Sequence, residues 1–161
     1  MLAGDEQAAT ISIDTGDRLR ITVFGQEALS NEYAVSDGGT ISMPLLGPIP
    51  ARGRTAKELE QVIKDELKAK QLESDASVSE QVERYRPFLV LGEVKSPGSY
   101  PYVPGMTLNT AVALAGGYTF RAEQEYAAIT RTVDDRVVEG RATSRTPVLP
   151  GDAIFVYESW F

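Results

Sequence analysis

The chain has 161 residues, 42% of them hydrophobic and 24% charged, an ordinary balance for a globular protein. Its 16 basic residues face 23 acidic ones, a net charge of −7, which argues against nucleic acid as a partner because neutralising phosphates needs clustered Lys and Arg. Cys and His are both absent, which excludes a thiolate nucleophile, a disulfide, a Cys/His zinc site and a His general base.

Residues 1–9 are small and polar and read as a frayed tail. Met1 to Glu6 lack the basic and apolar regions of a signal peptide, so either the protein is cytoplasmic or its targeting segment is not in this sequence. No apolar run approaches the roughly 20 residues a spanning helix needs. Ile11 and Ile13 predict a short strand. Gly16 and Asp17 fall in a turn, and Leu19, Ile21 and Val23 alternate with polar residues as a half-buried strand. Tyr33–Val35 and Thr40–Leu46 read as a hairpin about Asp37-Gly38-Gly39. Pro44, Pro48 and Pro50 confine their neighbourhood to edge or irregular backbone. Thr55 and Glu58 form a capping-box pattern, and Leu59, Val62, Ile63 and Leu67 share one face, which predicts a helix over about 56–70.

Ala76–Arg86 and Phe88–Val94 follow as strands, with Val78 and Val82 on one side of the first. The second runs into a turn at Pro97-Gly98. Thr107 is the N-cap of a short apolar helix that Gly116-Gly117 stops. Tyr126–Val133 and Arg136–Ala142 flank Asp134-Asp135 as a hairpin, Gly151-Asp152 is a turn, and Ala153–Tyr157 is the last strand. Gly53-Arg54-Thr55 and Gly105-Met106-Thr107 echo one another, each leading into a helix. The expected fold class is α+β: two related units, 10–86 and 87–161, the second β-grasp-like.

Chemistry-bearing motifs are few. Asp17, Asp37 and Asp152 each adjoin a glycine. A glycosidase would need two carboxylates facing one sugar, whereas Asp beside Gly closes turns by accepting nearby backbone N–H groups, and the turn reading is preferred. Phosphate-binding glycine loops and calcium-loop spacing are absent, so neither a cofactor nor a metal is expected. Tyr100, Tyr102 and Tyr118 surround the β-grasp unit and are candidates for contact with a ligand or a neighbouring subunit. Arg121 and Arg131, among several arginines of the last third, either steer a ligand or belong to a solvated face. Trp160 and Phe161 either dock a partner or finish the last strand.

Several of these segments resemble one family in order. Thr15-Gly16-Asp17-Arg18-Leu19-Arg20-Ile21-Thr22-Val23, Val35 through Gly47, Arg52-Gly53-Arg54-Thr55 with its helix, the 92–98 and 107–117 segments, and Pro150-Gly151-Asp152-Ala153-Ile154-Phe155-Val156 are similar to bacterial outer-membrane polysaccharide export proteins (OPX, Wza-type). In that family an export domain precedes a soluble-ligand-binding β-grasp (SLBB) domain. The resemblance implies a periplasmic protein associated with the outer membrane that forms a ring around a conduit for capsule or exopolysaccharide. It also implies an inner-membrane polysaccharide co-polymerase and an outer-membrane protein as partners, and no catalysis. The chain departs from the best-known members in lacking a lipobox cysteine and a helix after Tyr157. A free-standing saccharide- or protein-binding β-grasp module is the alternative.

Overall fold

In the computed structural model of the chain, the described residues are 11–72, 77–133 and 136–160. The expected tail at 1–9, the Asp134-Asp135 turn and the terminal Phe161 lie outside them, as does Ala76. Contacts divide the chain at Arg86/Pro87 into two compact units.

The first unit is built on β1 (Arg18–Val23), β2 (Asn31–Ala34), β3 (Thr40–Met43), β4 (Gly47–Pro50), α1 (Ala56–Ala69) and β5 (Val78–Arg84). β1 is the centre of a three-stranded antiparallel sheet, order β2-β1-β5. Its alternation puts Leu19, Ile21 and Val23 on the core face, where α1 covers the sheet with Leu59, Ile63 and Leu67. Each such buried aliphatic side chain contributes about 2 kcal/mol of transfer free energy. Thr55 caps α1 reciprocally with Glu58: the Glu58 N–H donates to Thr55 Oγ1 and the Thr55 N–H to Glu58 Oε1.

Two expectations fail here. Tyr33–Val35 does not pair with Thr40–Met43; β2 joins β1, and β3 instead turns back onto β4. The turn residues Leu45 and Gly47 both have positive φ, and Pro48 and Pro50, unable to donate, sit in a two-stranded ribbon where a second partner strand is not required. Ile11 and Ile13 form no strand. Ile13 instead exchanges two backbone bonds with the Gly53-Arg54 loop, which ties the start of the unit to the entrance of α1.

The second unit contains β6 (Phe88–Gly92), β7 (Gly98–Tyr100), α2 (Leu108–Leu114), β8 (Ala127–Val133), β9 (Arg136–Ala142) and β10 (Ala153–Val156). They form a five-stranded mixed sheet, order β7-β6-β10-β8-β9. β10 lies parallel to β6 and antiparallel to β8, so the last strand enters the middle of the sheet. Its Ile154 and Val156 are completely buried. Thr107 and Thr110 cap α2 reciprocally, and the N–H groups of Leu108 and Asn109 donate to Thr146 and Ser144 carbonyls. At the other end, Lys95 and Ser96 donate to the carbonyls of Gly117 and Ala115. The Pro97-Gly98 turn and the Gly116-Gly117 stop are thereby joined.

Candidate functional site

The two Gly-Asp turns are the most deeply buried polar features. In the first unit the Asp17 side chain is fully buried. Asp17 Oδ2 accepts the Asp14 N–H at 3.0 Å and Arg86 Nη1 at 2.8 Å, and Oδ1 accepts the Arg86 N–H at 2.7 Å. Burial raises the Asp17 pKa, against the opposing pull of Arg86. In the second unit Asp152 repeats the device. Its Oδ2 accepts the Leu149 N–H at 2.7 Å, and Arg131 grips both oxygens, Nε to Oδ1 at 2.9 Å and Nη2 to Oδ2 at 2.8 Å. The hydrogen bond to Asp152 raises the Arg131 pKa further. Each carboxylate is thus closed in by backbone donors and a guanidinium, which holds a turn shut. Asp37 is exposed in its turn, beside Gly38, and its carbonyl accepts Arg52 Nη2 at 3.0 Å.

The five contact candidates do not gather into one site, although Tyr102 lies close enough to Arg131 to act on its charge. Tyr102 is only 5% exposed. Tyr100 donates its hydroxyl to the Ser96 carbonyl and lies 6.2 Å from the Phe88 ring. Tyr118 is half-buried, which raises its pKa, and bridges to Val94. Arg131 is occupied by Asp152. Arg121 is exposed, lies over the Phe120 ring and stands 4.0 Å from Glu158.

A cleft of about 550 Å³ opens elsewhere in the second unit, between the β8–β9 hairpin and the segment after β10. Register builds it: Arg141 on β9 lies opposite Ala128 on β8, which lies opposite Phe155 on β10. The Arg141 guanidinium rests 4.0 Å over the Tyr126 ring. Tyr126 stands 6.1 Å from Tyr157, whose ring meets Phe155 edge-on at 5.3 Å. Glu139, Glu158 and Trp160 complete the lining that carries polar or aromatic groups. Backbone bonds from Glu123 to the Tyr157 carbonyl and from Ser159 to the Arg121 carbonyl hold the C-terminal segment in place.

None of the five candidates lines this cleft. A signal for it was nevertheless present. Ile154 and Val156 alternate with Phe155 and Tyr157, so the strand has aromatic residues on the face opposite its core face, where water-facing strands usually carry polar ones. A second overlooked residue is Glu80, buried on β5 between Val78 and Val82. Parity alone places 78, 80 and 82 on one face. Among the described residues no group of three or more side chains could hold a metal ion, and no helix is long and apolar enough to cross a membrane.

A family model described as polysaccharide biosynthesis/export protein matches residues 5–83, and an SLBB domain model matches residues 88–142. The "Exopolysaccharide production protein ExoF" of Rhizobium meliloti (strain 1021) is 40% identical over 91 residues. That match spans 56% of this chain and 22% of the relative, so the matched segment accounts for less than a quarter of that protein's length. Two family domains in their expected order, together with this relative, establish that the chain belongs to the polysaccharide export (OPX) family, an export domain followed by an SLBB domain.

Proposed function

We propose that the chain is a non-catalytic, ring-forming subunit of a periplasmic conduit that exports exopolysaccharide. The observation that carries this reading is the succession of export and SLBB domains in one chain, beside a relative named for exopolysaccharide production. In this reading the polymer passes through the ring, an inner-membrane polysaccharide co-polymerase docks on one side, and an outer-membrane partner completes the path. The closed Asp17 and Asp152 turns support a structural role, since both carboxylates are engaged within their own units.

Deletion of the gene in its host is the first test. Secreted exopolysaccharide is expected to fall to background and to return on complementation; unchanged secretion overturns the reading. Catalysis is tested separately on the cleft, because Glu139 and Glu158 share it. Incubation of the protein with host polysaccharide is expected to release no reducing ends. Release that Glu139→Gln or Glu158→Gln abolishes would make the protein a glycan hydrolase. The second reading, a free-standing binding module, draws on the open aromatic cleft. Cross-linking on membranes that carry the co-polymerase separates the two: higher oligomers support the ring, and persistent monomer supports the module.

A further inference from the structure

We propose that the cleft between the β8–β9 hairpin and the segment after β10 is a binding subsite for a neutral pyranose residue of a polysaccharide. The proposal deepens the export reading by naming what the second unit holds. It rests on that reading only for the biological source of the sugar, because the chemistry of the cleft stands alone.

Two aromatic rings, Tyr126 and Tyr157, are set 6.1 Å apart and tilted by 53°. Arg141 covers one face of Tyr126, so the ring that offers a face to the apolar C–H hydrogens of a pyranose is the exposed Tyr157 beside it. The Arg141 guanidinium stands 4.0 Å over the Tyr126 ring, and among the described residues none of its N–H groups has an acceptor. A planar fork of donors is therefore held in place beside the two rings with its hydrogen-bonding capacity unspent. Glu139 and Glu158 add acceptors on the same walls. Donors and acceptors around an aromatic floor match a polyhydroxylated ligand, because each sugar hydroxyl both donates and accepts. The cleft volume of about 550 Å³ falls within the usual span for small-molecule sites.

Charge decides between neutral and acidic sugars. Two carboxylates and one guanidinium line the cleft, and the chain as a whole carries −7. A uronate would meet Arg141 favourably but face both glutamates at close range. A second copy of the chain is a poorer occupant. Its net charge of −7 would be brought against a lining of two carboxylates and one guanidinium, so like charge opposes the approach.

The chain carries its own reporter. Trp160 is the only tryptophan in the sequence, is 90% exposed, and sits at the lip of the cleft. Its fluorescence is to be followed while purified protein is titrated with a neutral glucan or galactan hexasaccharide and, in parallel, with an oligogalacturonate. A saturable blue shift with a neutral hexasaccharide is expected, with at least tenfold weaker binding in Tyr126→Ala. Glu139→Gln keeps a strand residue of similar shape and is expected to weaken binding severalfold with an unchanged melting curve. This covers the case in which Tyr126→Ala fails to fold. Calorimetric titration of Trp160→Phe is expected to retain binding.

Binding of the oligogalacturonate alone overturns the assignment to neutral sugars. No saturable response to any saccharide overturns the subsite. So does an emission shift that depends only on protein concentration, which would mark a contact between copies. These outcomes are independent of the secretion test: binding with normal secretion in the deletion strain refutes the export role and keeps the subsite, and the converse refutes the subsite alone.

Discussion

Glu80 is a carboxyl buried without a hydrogen-bond partner for its side chain among the described residues. It stands opposite Ile21 on the core face of β5 and is 6% exposed. Burial, with help from the nearby Glu60 and Asp17 charges, raises its pKa from 4.5 to about 7. The folded state therefore binds this proton more tightly than the unfolded chain does. Stability attached to Glu80 is full below the unfolded value near 4.5 and is lost as pH rises to about 7. That gap corresponds to about 3 kcal/mol. Glu80→Gln is expected to match the parent near pH 4.5 and to exceed its urea midpoint increasingly toward pH 8. Parallel midpoints across that range would show that the carboxyl escapes burial in solution. Such a residue is tolerated in a core only if the rest of the unit carries the surplus.

At the level of elements, two glycines limit what β6 and α2 can accept. Gly92 ends β6 at φ +87°, and a Cβ there would stand 2.1 Å from the Val156 carbonyl oxygen. That oxygen accepts the Glu93 N–H at 3.0 Å, so the collision falls on the parallel β6–β10 pairing itself. Gly117 has φ +93° and open space around its missing Cβ. A substitution there bears the backbone penalty alone, about 1–2 kcal/mol for a β-branched residue. Thermal melts are expected to order the variants as Ala113→Ser least affected, Gly117→Val intermediate and Gly92→Ala worst. Equal melting of the two glycine variants would show that β10 shifts to admit the new methyl group.

For the whole molecule the governing fact is two units, each with its own core and its own Asp–Arg lock. Removing one partner of a buried pair leaves an uncompensated charge and costs about 3–5 kcal/mol. Calorimetry is expected to show Arg86→Ala lowering the transition of residues 11–86 and Arg131→Ala that of the unit beginning at Pro87. A single transition that moves equally in both variants would mean that the units melt together. Much of this architecture was legible in the chain. The alternation of Leu19, Ile21 and Val23, the capping box at Thr55, the N-cap at Thr107 and the Gly-Asp turns all act over a few residues, where side-chain spacing and backbone propensity decide the outcome. The order of motifs was legible for the same reason and pointed to the export family. Tertiary structure alone decided three things. It chose Arg86, 69 positions from Asp17, and Arg131, 21 positions from Asp152, as the locking cations. It paired β2 with β1 and left β3 to β4. It also assembled the cleft from Tyr126, Arg141 and Tyr157. Ionic partners and ring contacts carry no local signature, since they depend on which strands become neighbours. That choice is made by burying the two cores, a sum over distant residues that no short window of sequence contains.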